Sequence, residues 1–263
     1  MWYKEDKNPT WSWKRLQSLM QDTRKYKYWG PTKVDTYEKI LSSGTLADFK
    51  RAEYMKNVVY SFQYLEFIQV QIDELTLLTD VLKKQLYKNY IITSIGIIEC
   101  IFSHLVTSNN LQNKNEWISE GEPEYCDPFT EDGTEKRYIK QKQVRLPEPK
   151  DENTTFFETI KIVVENNLIH LPSKGLDIMH EIRKLRNKVH LSALRHENDT
   201  DYLGIDQRDF IKVRYVLHTI VSEVIDKDTD KSCFDFINPS DKEIEMAFGR
   251  INKETTQESG HND

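Results

Sequence analysis

Apolar residues recur at steps of three and four over most of the chain after residue 45, which is the spacing of helices that bury one face. The first run begins with Met55, Val58 and Phe62, and comparable runs follow. Thr155 with Glu158 has the pattern of a capping box, which marks the start of a helix. The sequence therefore predicts an all-α bundle of five core helices, over about 45–79, 81–108, 155–168, 173–193 and 206–224.

The second predicted helix contains a segment, Tyr90 to Val106, that is apolar enough for a membrane span to be considered. Its 17 residues are at the short limit for crossing a bilayer, and Glu99 and His104 lie inside it. We therefore expect a helix buried in the core, with Glu99 on its polar edge or, as the alternative, near a site. The first residues of the chain lack the apolar stretch of a signal peptide. These features predict no contact with a membrane.

Residues 109–153 interrupt the helical pattern between the second and third core helices. Four of the eight prolines lie there, and Asp132-Gly133 is a turn signal. Residues 116–135 include eight acidic residues and no basic one. Residues 136–145 include five basic residues and no acidic one. Alternating residues around Lys140 hint at a short strand or hairpin, but the segment as a whole is predicted to be a long inserted loop.

The two ends of the chain differ from the predicted helical domain at 45–228. Residues 1–44 are predicted to be an N-terminal arm, whose first 34 residues hold four of the five tryptophans with eight basic and three acidic residues. The arm either docks its aromatic side chains on the helical body or stacks the bases of single-stranded RNA. Residues 229–263 are predicted to be a C-terminal extension, with a short amphipathic helix after Ser240 and a polar tail.

Charge and cysteine content limit the function classes. Lys and Arg number 37 against 43 Asp and Glu, a net charge of −6, so generic binding to nucleic-acid backbones is excluded and any RNA contact must use a local basic patch. The three cysteines, Cys100, Cys126 and Cys233, are far apart and show no metal-ligand spacing. They predict neither a disulfide framework nor a structural zinc site, and they indicate a reducing, cytoplasmic compartment.

The segment HEIRKLRNKVHL, His180 to Leu191, carries the clearest chemistry. On a helical wheel one apolar stripe should face the core: Ile178, Ile182, Leu185 and Val189. The opposite arc holds cationic and polar side chains and no acidic one: His180, Arg183, Arg186, Asn187 and His190. Arg presents a fixed fork of donors to a phosphate and His titrates near neutral pH. This polar arc is therefore either a solvated helix face or a phosphodiester site.

The motif resembles the Arg-x4–6-His signature of the HEPN superfamily, small helical bundles of prokaryotic toxin–antitoxin, phage-defence and CRISPR-associated ribonucleases. Arg183 and His190 have six residues between them, and the order of the helices over about 45–228 is also similar. In the family a polar residue, often Asn, directly follows the motif arginine. Here Asn187 follows Arg186, whose gap to His190 is three residues, whereas Lys184 follows Arg183. The sequence leaves open which arginine is functional.

The resemblance implies a metal-independent endoribonuclease without cofactors, built as a homodimer in which the motif helices of two protomers meet at one site. His190 would take the proton from a ribose 2′-OH, and Arg183 or Arg186 would stabilise the charge on the phosphate. Asn187 would orient either group. The further substrate-binding side chains would be Lys184, Lys188 and His180. The implied partners are RNA, a second copy of the chain and an antitoxin or phage-defence protein.

Two other interpretations remain open on the sequence. One is a non-catalytic HEPN-like helical module that binds a protein partner or RNA without cleaving it. The other is a helical protein unrelated to this superfamily.

Overall fold

The computed structural model describes residues 30–249 except 48, 50–51, 75–79, 153, 172–174 and 189–203. The α-helices within these ranges are α1 (Val34–Leu41), α2 (Ala52–Glu74), α3 (Asp80–Ser108), α4 (Phe156–Glu165), α5 (Gly175–Lys188), α6 (Gln207–Val224) and α7 (Asp241–Phe248), with a 3₁₀ helix at Ser232–Ile237. The strands are β1 (Lys114–Tyr125), β2 (Phe129–Glu131), β3 (Thr134–Lys136) and β4 (Ile139–Asp151), and they all lie between α3 and α4.

Helix α3 is the centre of the bundle because it is apolar on most of its sides. It is 29 residues long, and its buried residues include Tyr90, Ile95 and Phe102. Helices α2, α4, α5 and α6 all pack against it. Within the described ranges α3 is the one helix long and apolar enough to cross a membrane, yet 56% of its apolar window is buried inside the protein. This burial is compatible with a soluble protein in which α3 is the core helix.

The prediction of an all-α fold is wrong, because the insert at 109–153 contains antiparallel strands where a loop was predicted. β1 pairs with β4, with Ile118 opposite Val144, and β2 pairs with β3 across the turn at Asp132 and Gly133. Nearly every side chain of β1 and β4 is exposed on both faces of this ribbon. The hint of a strand around Lys140 is correct for part of β4, but because neither face is buried the rest of the ribbon lacks the alternation of apolar and polar residues that identifies a strand in a sequence.

The charge runs of the insert are explained by the strand pairing. Half of the acidic run lies in β1 and three of the five basic residues lie in β4, so that opposite charges face each other across the ribbon. Glu116 lies 2.9 Å from Arg145, and Glu120 lies 2.5 Å from Lys142. Cross-strand pairs of this kind stabilise an exposed hairpin by a few tenths of a kcal/mol up to about 1 kcal/mol each.

Capping boxes mark the starts of α4, α6 and α7, whereas no such signal places the start of α2. The capping box at Thr155 and Glu158 is present as predicted, with both of its hydrogen bonds formed. Helix α2 was expected from residue 45 but begins at Ala52, and residues 42–47 form turns. The backbone N–H of Thr45 donates to the carbonyl of Val224 at the end of α6, 2.9 Å away. This long-range contact fixes the turn, and no local pattern could predict it.

Segments on either side of the predicted helical domain pack on the core. Tyr37 of α1 is fully buried and stacks on Phe62 of α2 with ring centroids 5.7 Å apart. Phe234 of the 3₁₀ helix contacts the same two rings. The hydroxyl of Tyr37 donates to Glu66 at 3.0 Å. The remainder of the predicted arm, residues 1–29, and the tail from 250 to 263 lie outside the described residues.

A buried arginine joins α6 to the C-terminal segment. The Arg214 side chain is 7% exposed, pairs with Glu243 at 2.7 Å and donates to the carbonyls of Phe236 and Asn238. Partial burial of Glu243 opposes its ionisation, but hydrogen bonds from Ser240 and the Arg214 guanidinium together hold the pKa of Glu243 below its usual range. This ion pair is therefore one that the fold uses for stability.

Candidate functional site

Helix α5 turns its predicted apolar stripe into the bundle. Ile178, Ile182 and Leu185 are buried as the helical wheel predicts, and Met179 is fully buried beside them. Val189, the fourth residue of the predicted stripe, lies outside the described residues. The side of α5 opposite this stripe carries the arginines.

The cationic side chains of α5 differ in exposure and support. Arg183 is partly exposed, and its guanidinium carbon lies 4.9 Å from the centroid of the Phe157 ring on α4. The ring of His180 lies 5.5 Å from the same phenylalanine, and Lys184 is exposed. Phe157 is itself 43% exposed. Phe157 therefore forms a small surface platform that orients both His180 and Arg183.

The structure describes two of the predicted site residues only by their backbone and does not describe a third. Asn187 and Lys188 belong to the last turn of α5 by their backbone, and nothing is described of their side chains. His190 lies outside the described residues. The structure thus brings Arg183, Arg186 and His180 to the side of α5 away from its buried stripe, and it does not place His190.

Glu99 is the site residue that the helical wheel could not reveal. Its carboxylate on α3 lies 3.0 Å from the Arg186 guanidinium, so the arc on α5 that holds no acidic residue of its own receives one from another helix. The Glu99 side chain is 28% exposed and that of Arg186 is 47% exposed. Partial burial raises the pKa of the Glu99 carboxyl above its usual range, and the neighbouring Arg186 offsets this only in part.

A cleft of about 670 Å³ runs along α3, with Gly96 and Glu99 at one end of its floor. Its floor is formed by polar and small residues of that helix, and its walls come from the segment before α2, the base of the β1–β4 ribbon and the start of α4. His104 on the floor stacks on Phe49 with ring centroids 4.3 Å apart. Burial raises the pKa of the Cys100 thiol to about 11, so this cysteine stays protonated and is not a nucleophile near neutral pH.

Metal-binding groups are not assembled in the described part of the chain. Among those residues no three His, Cys, Asp or Glu side chains are grouped so that they could hold a metal ion. The three cysteines are free thiols, each partly buried. The chemistry that the described site offers is therefore that of arginine, histidine and carboxylate side chains.

No protein-family model matches this chain, and neither a curated protein nor a solved structure shows significant similarity to it. The function has to be argued from the residues and their contacts.

We expect Glu99→Gln to raise the melting temperature at pH 7. The pKa of Glu99 in the folded protein is above its unfolded value, so the stability that protonated Glu99 contributes is present below the unfolded pKa and is lost as the pH rises through the folded pKa. Glutamine stays uncharged at every pH and therefore avoids this loss. Thermal melts followed by circular dichroism should show the gain at pH 7 and a smaller one at pH 4.

Glu243→Gln is the matched control, because Glu243 also pairs with one arginine but has a lowered pKa. The stability from its ionised form is present above the unfolded pKa and is lost as the pH falls through the folded pKa. This variant should therefore melt below the wild type at pH 7. If Glu99→Gln also melts lower, Glu99 is a stabilising carboxylate like Glu243 and our interpretation of it is wrong.

Proposed function

We propose that this protein is a metal-independent endoribonuclease of HEPN type that acts in the cytoplasm, in phage defence or as part of a toxin–antitoxin system. The observation that carries the proposal is the geometry of α5. This helix buries Ile178, Ile182 and Leu185 and presents Arg183 and Arg186 on its other side, two turns or less before His190 in the sequence. A helix built in this way supplies cations and a titratable base to a phosphodiester without help from a metal.

The proposed reaction needs only a proton acceptor, a proton donor and a cation. His190 takes the proton from a ribose 2′-OH, and the 2′ oxygen forms a bond to the adjacent phosphorus. The bond from phosphorus to the 5′ oxygen of the next nucleotide breaks, and that oxygen takes up a proton. The products are a 2′,3′-cyclic phosphate and a 5′-OH end. An arginine stabilises the charge that grows on the phosphate oxygens, with Asn187 orienting the reacting groups.

A second copy of the chain completes this scheme. When two α5 helices meet, two His190 side chains reach one site, so that one can accept the proton and the other can donate one. A homodimer through α5 therefore explains how a single histidine per chain serves both halves of the reaction. The other proposed partners are RNA, which Lys184, Lys188 and His180 help to bind, and an antitoxin or phage-defence protein that restrains or triggers the activity.

The contacts favour Arg183 as the arginine that holds the scissile phosphate. Its guanidinium is oriented by the Phe157 ring, and its buried Nε has no hydrogen-bond partner among the described residues. Arg186 instead is neutralised by Glu99. An arginine that is oriented and not paired with a carboxylate keeps its forked donors available for a phosphate. Arg186 then attracts RNA and exchanges its carboxylate partner for a phosphate when the strand arrives.

His190→Ala should lower the rate of RNA cleavage by about 10²–10⁴, the usual contribution of a general acid–base group. Cleavage by the wild type should continue in excess EDTA and leave 2′,3′-cyclic phosphate ends, which gel electrophoresis identifies because phosphatase removes them only after mild acid has opened the ring. Loss of activity in EDTA, or full activity of His190→Ala, contradicts the mechanism. RNA binding with no cleavage by the wild type identifies the non-catalytic HEPN-like module instead.

Arg183→Lys and Arg186→Lys should separate the roles of the two arginines. Lysine keeps the charge but loses the planar fork, so it replaces a phosphate-orienting arginine poorly and an electrostatic one well. We expect Arg183→Lys to lower the turnover number at saturating RNA by about tenfold or more, and Arg186→Lys to change it little. Single-turnover kinetics with one defined RNA measures both. The reverse order would assign the phosphate to Arg186 and contradict our assignment.

The protein should be a two-fold dimer at micromolar concentration. Light scattering coupled to size-exclusion chromatography measures the mass in solution, and a strict monomer argues against the shared site. Partly buried Lys212 pairs with exposed Glu181 on the α6 side of α5, so Lys212→Ala tests a nearby face and should leave the dimer unchanged if the arginine face forms the interface.

A further inference from the structure

The central helix of the bundle has one polar stripe, and the cleft lies along it. Positions that recur at steps of three and four on α3 carry small or polar residues, in a helix whose other sides are largely isoleucine and aromatic: Gly96, Glu99, Cys100, Ser103, His104 and Thr107. A core helix needs no such stripe for its packing. These residues form the floor of a cleft of about 670 Å³, within the size range of sites for small organic ligands.

Gly96 leaves the floor of the cleft open at one end. A side chain at this position would point into free space, since no atom lies within 4 Å of where its Cβ would be. Glycine in the middle of a helix costs about 0.5–1 kcal/mol relative to alanine, and here no neighbour requires it for packing. An open position of this kind lets a flat ligand approach the helix backbone closely.

Aromatic side chains form one wall of the cleft. The Phe49 ring stacks on His104 with an angle of 16° between the planes, and Tyr54 meets Phe49 edge to face at 6.4 Å. Tyr54 is 46% exposed at the mouth. Rings of this type bind the planar face of a nucleobase by stacking, and the interaction tolerates any base.

The charges that line the cleft favour a nucleobase inside it over a phosphate. Glu99 and Asp151 line it, and two carboxylates disfavour a phosphate inside. Carboxylates accept hydrogen bonds from the N–H groups of a nucleobase. At the Glu99 end the cleft adjoins the Arg186 guanidinium, 3.0 Å from the carboxylate, where a phosphate is favoured. One nucleotide thus fits with its base along α3 and its phosphate toward α5.

We propose that this cleft binds one unpaired nucleobase of an RNA strand, next to the phosphate held by the arginines of α5. The identification of the ligand as RNA rests on the proposed ribonuclease function, whereas the base site itself rests on the residues that line the cleft. The site gives the protein a preference for single-stranded RNA, because a base in a duplex cannot enter it. It also places the strand so that the adjacent phosphodiester lies beside Arg186.

The experiment measures binding of a fluorescein-labelled 2′-O-methyl RNA octamer by anisotropy in EDTA. This probe lacks the 2′-OH that the proposed cleavage requires, so binding is measured whether or not the protein is a nuclease. An abasic residue is moved through the octamer one position at a time. We expect one abasic position to weaken binding to the wild type by about tenfold, the usual loss of one base stack.

Gly96→Leu fills the cleft from an open position and should weaken binding of the intact octamer by about the same tenfold. It should also remove the effect of the abasic residue, because the base no longer enters. Asn89→Met is the matched control, because Asn89 is an exposed position of α3 two helical turns before Gly96 and outside the cleft, and this variant should bind like the wild type. Ser103→Leu blocks the same floor two helical turns away at an exposed position, and it replaces Gly96→Leu if that variant does not fold.

The outcomes are distinct from those that test the ribonuclease. Wild-type affinity of both leucine variants, or equal binding of intact and abasic octamers, overturns the base site even if RNA is cleaved. Loss of cleavage with the base effect retained overturns the nuclease and leaves the base site. Displacement of the octamer by a free mononucleotide at the same concentration as by unlabelled RNA would show that the ligand is a nucleotide and overturn the assignment to an RNA strand.

Discussion

The burial of α3 is the constraint on which the rest of the structure depends. A helix with apolar residues on most of its sides cannot be covered by one neighbour, so α2, α4, α5 and α6 have to surround it. Each isoleucine or phenylalanine that is fully buried contributes about 1.5–3 kcal/mol, and Ile91, Ile95, Ile98 and Phe102 are all at zero exposure. The side of α3 that carries Gly96 and Ser103 gives no such gain. The surrounding segments leave the cleft along that side, and the same packing brings α5 to Glu99 at its end.

Two carboxylate–arginine pairs of this protein, Arg214–Glu243 and Arg186–Glu99, differ in how the fold shifts the pKa of the carboxylate. Arg214 is buried and donates from both terminal nitrogens of its guanidinium, and the pKa of Glu243 is lowered, as expected for a pair that stabilises the fold. Glu99 also contacts an arginine, but burial raises its pKa. A carboxylate whose charged form is disfavoured by burial, at the end of a cleft and beside a cationic helix face, is a candidate functional residue.

The sequence predicted those parts of the structure that depend on local periodicity. The buried positions Ile178, Ile182 and Leu185 and the capping box at Thr155 follow from spacing along a single helix, and these were correct. The start of α2 was misplaced, because residues 42–47 form turns that are held by a bond between Thr45 and Val224 from opposite parts of the chain.

The local sequence pattern could predict neither the full extent of the strands nor the composition of the site, for different reasons. The β1–β4 ribbon is exposed on both faces, so its sequence carries charges and turn residues but no buried side, and a loop has the same composition. Glu99 could be assigned to the polar edge of its helix, but its contact with Arg186 requires the packing of α3 against α5. A helical wheel describes one helix only, so the wheel of α5 could not predict that a carboxylate from α3 pairs with Arg186.

The pair of Glu99 and Arg186 also bears on how two copies of α5 could approach each other. In the proposed dimer each helix brings Arg183, Arg186 and the histidines to a common site, and like charges at close range oppose association. Glu99 neutralises one arginine of each copy, so the opposing charge in the absence of RNA is smaller. When a phosphate enters, it can replace the carboxylate as the partner of Arg186, and the displaced Glu99 then faces the N–H groups of the base in the cleft.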